Sequence, residues 1–319
     1  MLTCTIEWNQ LSLPIWQKLF QTVKHSTILQ DYQYGIAHCH VNKQSARWGL
    51  ILINGQQAGL IQILEAKTLF GLLHAVILDR GPLWFDGFGS AIHVAAFFKE
   101  LNRQFPQRWG RKRRIIPEVE TSTAFYQIMQ QNGFSYRENS QYSTLWWDIH
   151  KKSDDLYNNL SNSFQKSLKK AQKSNIEIEF DWNLAFLNKF KAHYAVQQIE
   201  KCYSNISLKL LDTLAMLSPE SGNILIVKAV KQQGQHAECI ASQLYLLHGQ
   251  CATYQIGWTS EAGRQYCAHH LMLWQTRTLL NEKNITAIDL GGIDHENSGL
   301  AKFKTGTGAK VIHLAGQYA

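Results

Sequence analysis

The chain has 319 residues, of which 45% are hydrophobic and 18% are charged. Its length suits about two globular domains, and its composition excludes a predominantly disordered chain. The formal net charge of +8 favours an anionic partner, for which nucleic acid, a nucleotide-linked substrate and an anionic membrane surface are the candidate classes.

The cysteines and histidines give no sign of a metal or redox site. The six cysteines are scattered without a CxxC pair, and none of the 13 histidines stands in an HExxH spacing. Free thiols fit the cytosol. The segment MLTCTIEWNQ has no basic stretch followed by an apolar run, and the apolar runs are far shorter than the ~20 residues of a membrane span. We therefore expect a cytoplasmic protein without signal peptide, metal or bound cofactor.

The first half of the chain alternates turn signals with apolar runs. Asn54 and Gly55 stand between two apolar runs, which is the strongest short signal of a β-hairpin. Apolar residues at helical spacing in 90–105 predict a helix with one buried face. The other predicted elements are a helix at 14–24, a strand running into the Gly81-Pro82 turn, a strand at 113–120, a short helix ending at Gly133 and a closing strand at 142–149.

The second half repeats this order. Its predicted elements are a helix at 154–173 capped by Ser153, a helix at 183–203, a hairpin around 232–235, a strand at 251–258, a helix at 265–281, a strand at 286–292 and a last strand at 310–316. The repeated order predicts two mixed α+β units of similar plan. We divide them as 1–150 and 151–319, with the polar stretch 150–155 as the linker.

Two basic clusters are open to two interpretations each. Lys166, Lys169, Lys170 and Lys173 fall on one face of a predicted helix, where they would either bind phosphates or form an ordinary solvated face. The run RWGRKRR at 108–114 would either contact nucleic acid or form a charged strand edge that prevents aggregation.

The most informative stretch is DLGGIDHENSGLAKFKTGTGAK at 289–310. Glycines on both sides of Phe303 and Lys304 let the backbone take positive φ and approach a ligand closely. A lysine between such loops can place a positive charge where negative charge develops during acyl transfer. The same pattern would also suit a glycine-rich turn with a solvated lysine.

These segments together resemble the FemAB-type aminoacyltransferases. AFYQIMQQNGF at 124–134 is similar to a short helix of that family, and FQKSLKKAQKSNIEIE at 164–179 resembles the basic helix and strand that open its second domain. The Asp-x-Gly-Gly and Phe-Lys pairs near the C-terminus are the most specific match, and GRQYCAHHLMLWQ at 263–275 resembles the substrate-cleft helix. The resemblance covers most of the chain. It implies an α+β fold of two tandem acetyltransferase-like (GNAT-like) domains, each a mixed, mostly antiparallel sheet flanked by helices.

The resemblance also implies a reaction, in which an amine attacks an activated acyl carbon and an amide forms. In the best-known branch the donor is aminoacyl-tRNA, and the acceptor is a UDP- or lipid-linked peptidoglycan precursor of the cell wall. Lys304, next to Phe303, would stabilise the developing oxyanion or position the donor. Lys166 and Lys169, with Lys170 beside them, would contact acceptor phosphates as point charges.

Further candidate residues have a second interpretation each. His295 has a suitable ordinary pKa for a general base, but it would equally suit a polar loop tip, and the acceptor could supply its own base. Asp289 would act in the site or only hold the glycine turn. Tyr254 and Gln255, on a predicted strand, would hydrogen-bond the acyl group or the acceptor, or only pack.

The chain departs from the family at some positions, and two other functions stay open. Lys166-Ser167 stands where many members have Arg-Asn, and 173–222 lacks a heptad-rich arm. One alternative is an acyl-CoA-dependent N-acyltransferase acting on a sugar amine, an amino acid or a protein, although the loop at Gly263 has few small residues for a CoA pyrophosphate. The other is a non-catalytic protein that binds tRNA or another polyanion on a transferase scaffold.

Overall fold

A computed structural model describes residues 2–138, 140–201, 206–218, 222–233, 236–293 and 298–319. Contacts divide the chain into unit 1, Met1–Ser143 with Ile312–Ala319, and unit 2, Thr144–Val311. Each unit contains a mixed sheet with helices, as predicted.

Unit 1 is built on a sheet whose strands run in the order β1-β2-β3-β4-β6, with β5 paired to β3. Only the β4–β6 pair is parallel. The strands are β1 (Cys4–Trp8), β2 (Ser45–Ile53), β3 (Gln56–Thr68), β4 (Leu73–Gly81), β5 (Leu83–Trp84) and β6 (Arg111–Pro117). The helices are α1 (Leu13–Phe20), α2 (Tyr32–Asn42), α3 (Ala91–Gln104) and α4 (Thr123–Gln131).

Local sequence signals account for much of unit 1. Asn54 (φ 49°) and Gly55 (φ 78°) both take the left-handed conformation that a two-residue hairpin turn requires. The spacing of Val94, Phe97 and Leu101 on α3 places them on one face, where all three are buried in the core. The hairpin and this helix are therefore confirmed. Strand β1 and helix α2 were not predicted.

Unit 2 contains a sheet in the order β13-β7-β12-β11-β10-β9-β8. The strands are β7 (Tyr142–Asp148), β8 (Ile176–Asp181), β9 (Ile224–Gln233), β10 (His236–His248), β11 (Cys251–Thr259), β12 (Ala287–Gly292) and β13 (Lys310–Leu314). The helices are α5 (Ser153–Asn159), α6 (Asn162–Gln172), α7 (Leu187–Lys201), α8 (Leu208–Leu217), α9 (Glu261–Gln265), α10 (Ala268–Glu282) and α11 (Ser298–Thr305). The chain enters unit 2 inside β7 and leaves it inside β13.

The contact-defined units differ from the predicted division at residue 150. Strand β7, predicted to close the first domain, pairs with β12, with Trp147 opposite Ile288. Leu145, Trp147 and Ile149 are buried in the core of unit 2. An apolar strand carries no local signal of which sheet it will join, because that choice depends on pairing with residues far away in sequence.

Three predicted elements of unit 2 are interrupted or replaced. The helix predicted at 154–173 is two helices, because Leu160 is extended and the hydroxyl of Ser161, rather than Ser153, accepts the N–H of Phe164 and caps α6. The helix predicted at 265–281 is likewise split before α10 at Cys267, which has a φ of 57°. Phe303 and Lys304 lie in the last turn of α11, not between loops.

Candidate active site

The two units differ in how far their parallel strands pair, at the end of the first sheet and in the middle of the second. In unit 1, β4 and β6 pair from His74 opposite Arg111 to Gly81 opposite Pro117. In unit 2, β11 and β12 pair only from Cys251 to Thr253, although β11 continues to Thr259 along β10. The two strands of unit 2 therefore separate at their carboxyl ends, where ligands of open α/β sheets commonly bind. The predicted site residues of the C-terminal stretch follow this separation.

A carboxylate holds the turn at the end of β12. Asp289 is 2% exposed, and its Oδ1 atom accepts hydrogen bonds from the Thr144 hydroxyl at 2.6 Å and from the Gly291 N–H at 2.8 Å. Gly291 has a φ of 75°, which glycine adopts without the strain that a Cβ would add. This geometry corresponds to one of the two roles predicted for Asp289, that of holding the glycine turn.

Lys304 reaches the same turn from helix α11. Its side chain is 7% exposed, and its Nζ atom donates to the carbonyl oxygen of Gly292 at 2.8 Å. A Cβ atom built on Gly291 would lie 3.7 Å from this Nζ. A lysine is seldom buried without a polar partner, so the turn and the ammonium group position each other.

Phe303 lies at the centre of an aromatic cluster beside Lys304. Its ring centroid is 5.8 Å from that of Phe164 on α6, 5.1 Å from His270, 6.0 Å from His269 and 6.4 Å from Tyr254 on β11. Three elements, α6, α10 and β11, therefore contact one half-buried ring of α11. The structure thus brings Tyr254 to Phe303 of the predicted Phe303-Lys304 pair, although the two positions are far apart in the sequence.

The two predicted residues on β11 lie at a β-bulge. Tyr254 is 8% exposed and packs in the core of unit 2, with its hydroxyl 2.0 Å from a Cβ built on Gly257. Leu244 pairs with Ile256 and Tyr245 with Tyr254, so half-buried Gln255 is the extra residue of the bulge. The hydrogen bonds predicted from Tyr254 and Gln255 to the acyl group or the acceptor stay predictions.

The first turn of α10 contributes a hydrogen-bonded chain that sequence reasoning missed. The Tyr245 hydroxyl donates to Gln243 Oε1 at 2.7 Å, and Gln243 Nε2 lies 2.7 Å from His269 Nδ1. His269 Nε2 lies 3.1 Å from the carbonyl oxygen of Trp258. An amide N–H donates to Nδ1 and a carbonyl accepts from Nε2, so the contacts select the Nε2–H tautomer of His269. The adjacent histidines were visible in the sequence, but their partners on β10 and β11 were not.

His270 faces the aromatic cluster and is uncharged at neutral pH. Burial lowers the pKa of its imidazole to about 4. Its ring centroid lies 4.7 Å from that of Phe164. Both histidines therefore contact the Phe303 ring, and His269 also hydrogen-bonds with Gln243.

The predicted basic face lies on the other side of α6. Lys166, Lys169 and Lys170 are exposed, whereas Phe164 of the same helix is buried and contacts Phe303. Steps of two, five and six residues from Phe164 place these lysines away from its face. The lysines are accessible to a ligand, but α6 separates them from the Phe303 ring. His295 lies outside the described residues.

In the described part of unit 2, Gly263 of α9 does not offer an open glycine loop to the pyrophosphate of CoA. Gly263 is buried, and a Cβ added to it would lie 2.2 Å from the carbonyl oxygen of Ile240, so this glycine serves helix-to-strand packing.

Within the described residues, no three His, Cys, Asp or Glu side chains come together as a metal site. None of the helices in the described part of the chain is both long and apolar enough to span a bilayer.

Comparisons with solved structures agree on the fold. A crystal structure of FemX superposes with a TM-score of 0.80 at 14% identity, over 98% of this chain and 96% of that one. A tandem GNAT protein from the clavulanic acid biosynthesis pathway gives 0.51 at 9% identity, over 98% of both chains. L-PGS from Bacillus licheniformis gives 0.50 at 10% identity, over 92% of this chain and 93% of that one. The chain therefore has a tandem GNAT-like fold of the α+β class.

The sequence of the last third of the chain is more specific. Residues 213–319, which contain the separating strands and the Lys304 turn, match the model of the FemAB family. The comparison with curated protein sequences gives no significant match. The last third of the chain thus matches the FemAB family in sequence, and the whole chain has the fold of FemX.

Proposed function

We propose that the protein transfers an aminoacyl group from aminoacyl-tRNA to the amine of a phosphate-bearing peptidoglycan precursor. The observation that carries the proposal is the buried ammonium group of Lys304, held by Gly292 at the end of the separating strands. The match of 213–319 to the FemAB family and the FemX-like fold support the class of reaction. Aminoacyl-tRNA is found in the cytoplasm, so we propose that the protein acts there.

The chemistry requires stabilisation of negative charge and a path for one proton. The acceptor amine attacks the ester carbonyl of the donor, the new C–N bond forms, and the C–O bond to the ribose breaks. The amine loses one proton and the leaving ribose oxygen gains one, so the step balances without a base from the protein. A fixed cation in a site with little water lowers the energy of the charged intermediate. We assign that role to Lys304.

Both substrates carry phosphates, and unit 2 offers a cationic surface for them. Lys166, Lys169 and Lys170 are exposed on α6, and the same helix contributes Phe164 to the aromatic cluster. We assign the three lysines to phosphate contacts that bind substrate, and Lys304 to the reacting group.

The donor is tested by binding experiments on the purified protein. Aminoacylated tRNA, uncharged tRNA and acetyl-CoA are titrated in parallel at several salt concentrations, with wild type, Lys304→Met and the charge reversal Lys166/Lys169/Lys170→Glu. We expect preference for aminoacylated over uncharged tRNA, and a loss of that preference in Lys304→Met. Reversal of three other exposed lysines of unit 2, Lys151/Lys152/Lys209→Glu, is the matched control for charge.

Two results would contradict the proposal. Tight binding of acetyl-CoA, with tRNA binding that ignores aminoacylation, would identify an acyl-CoA-dependent N-acyltransferase. Binding of tRNA that depends on the α6 lysines, without turnover of any acceptor and without an effect of Lys304→Met in cells, would identify a non-catalytic polyanion-binding protein.

A further inference from the structure

The tip of the β3–β4 hairpin in unit 1 exposes large apolar side chains. Leu69 is 62% exposed, Phe70 110% and Leu72 57%. Trp109, in the turn before β6, is 81% exposed. We call these four residues the tip patch. Single exposed apolar residues are ordinary, but a contiguous group of this size marks an interaction surface.

Two backbone contacts make the tip patch contiguous. A Cβ added to Gly110 would lie 2.3 Å from the carbonyl oxygen of Leu72, so the turn with Trp109 packs directly on the hairpin tip. The N–H of His74 donates to the Gly110 carbonyl at 2.8 Å. Trp109 and the hairpin tip are therefore held side by side.

The tip holds its apolar side chains outward at a conformational cost. Leu69 and Phe70 have φ values of 49° and 54°, followed by Gly71 at 87°. The left-handed conformation is unfavourable for a residue with a Cβ. Asparagine or glycine would form this turn more easily, so the turn alone does not explain the leucine and the phenylalanine.

A basic pocket lies beside the tip patch. Its volume is about 510 Å³, and its lining includes Arg47, Lys67, Arg108 and Arg111 around the carboxylate of Glu65. Glu65 is 2% exposed and lies 2.7 Å from Arg47 Nε and 3.4 Å from Lys67 Nζ. Four cationic groups face one carboxylate, so the pocket has an excess of three positive charges.

The positive charges of the pocket repel one another, because Glu65 neutralises only part of them. Burial, and then the neighbouring charge of Arg108, lower the pKa of the Arg111 guanidinium from its ordinary value. Burial also lowers the pKa of His74, whose Nε2 atom lies 2.8 Å from Glu65. A bound anion would relieve the repulsion between Arg108 and Arg111.

We propose that this face of unit 1 docks on the surface of an anionic lipid bilayer. The tip patch enters the interfacial region, where tryptophan and phenylalanine beside arginine and lysine are favoured. The basic pocket receives the phosphate of a lipid headgroup, and Arg108 and Lys67, which line the pocket, face the negatively charged surface. The proposal concerns unit 1 and does not depend on the reaction assigned to unit 2.

The aliphatic part of the tip patch favours a bilayer over a nucleic acid. Single-stranded RNA or DNA would stack on Trp109 and pair with the basic groups. Leu69 and Leu72 would gain nothing from such stacking, whereas acyl chains remove their surface from water. The observed combination of leucine, phenylalanine and tryptophan around a basic pocket therefore indicates lipid.

The test is flotation of the full-length protein with vesicles. One set contains phosphatidylcholine alone, and the other contains phosphatidylcholine and phosphatidylglycerol at about three to one, each at about 0.1 M and about 0.5 M salt. Variants are Phe70→Asn with Leu69→Asn, since asparagine accepts the left-handed conformation, and separately Arg108→Gln with Lys67→Gln. The matched controls are Ile92→Gln and Lys99→Gln, exposed residues of α3 outside the patch.

We expect wild type to float with the anionic vesicles at low salt and to bind phosphatidylcholine vesicles weakly. Both patch variants should lose about tenfold in affinity, whereas the two controls keep wild-type binding. Equal flotation of wild type and the tip variant would overturn the proposal. Salt-sensitive binding of tRNA that is weakened by the Arg108/Lys67 variant, without flotation, would also overturn it, because it would identify a nucleic-acid surface.

Discussion

The ammonium group of Lys304 lies 2.8 Å from the carbonyl oxygen of Gly292, so a charge on α11 is fixed at the end of β12. The two residues are 12 positions apart in the chain, and the aspartate turn at Asp289 holds the acceptor side of the contact. A cation with this support has little freedom to move during a reaction. Pre-organised charge of this kind is a large term in acyl-transfer catalysis.

Substitution of Lys304 by methionine keeps the apolar stem and removes the charge. We expect the rate of amide formation to fall by about 10²–10³-fold. The control is Lys302→Met, because Lys302 is exposed in the same turn of α11. The measurement is single-turnover transfer from aminoacyl-tRNA, with urea unfolding to confirm a folded variant. A rate within a few-fold of wild type would show that Lys304 only supports the turn.

Asp289 is expected to act through structure rather than charge. The hydrogen bonds from Thr144 and Gly291 both end on Oδ1, so Asp289→Asn can keep them, whereas Asp289→Ala leaves the Gly291 N–H and the Thr144 hydroxyl without this acceptor. We expect a loss of about 1–3 kcal/mol in the free energy of unfolding for alanine and a smaller loss for asparagine. Urea denaturation measures both. A stable but inactive Asp289→Asn protein would instead assign the carboxylate to the chemistry.

The exposed lysines of α6 should affect binding of substrate rather than turnover. We expect Lys166/Lys169/Lys170→Gln to raise KM for a phosphate-bearing substrate by about tenfold with kcat nearly unchanged, and to reduce the salt dependence of binding. The control is Lys151/Lys152/Lys209→Gln, which removes the same number of exposed charges. If both triple variants behave alike, the α6 face is only a solvated surface.

His270 predicts a pH dependence of stability. Its folded pKa is about 4 and its ordinary value is 6.5, so the unfolded chain takes up the proton first as pH falls. The native state therefore loses stability as pH falls from 6.5 to about 4, by roughly 2–3 kcal/mol from this group, and loses no more below that range.

Urea unfolding of wild type and His270→Phe across this pH range isolates the contribution, because phenylalanine fits the aromatic cluster and does not titrate. The variant should show a flatter dependence, whereas His236→Gln, at an exposed position, should follow wild type. An identical pH dependence in His270→Phe would mean that His270 is solvated in the native protein.

The capping residue of α6 provides a test of local structure. The Ser161 hydroxyl accepts the N–H of Phe164 at 3.2 Å, and Phe164 carries the contact with Phe303. We expect Ser161→Ala to lower the free energy of unfolding by about 1 kcal/mol. Ser163→Ala, exposed in the first turn of the same helix, should be nearly neutral. Equal unfolding midpoints of these two variants would show that the cap is unimportant.

Part of the candidate site was predictable because it lies close together in the chain. Asp289, Phe303 and Lys304 belong to one stretch whose glycines and charge indicate a ligand-facing turn. The helix that carries Phe303 and Lys304 was not predicted, since an eight-residue helix gives a weak periodic signal. The hydrogen bonds that link Tyr245 and Gln243 to His269 could not be predicted, because the sequence of a strand does not indicate which distant residue a polar side chain will contact.

The sequence by itself determined the local elements, among them the Asn54-Gly55 hairpin, the buried face of α3 and the repeated α+β order of the two units. These follow from turn chemistry and apolar periodicity, which act over a few residues. Only the tertiary structure decided that β7 joins the second sheet, that β11 and β12 separate, and that the hairpin tip lies beside Trp109. Those relationships depend on pairing and packing between distant segments, which no local pattern encodes.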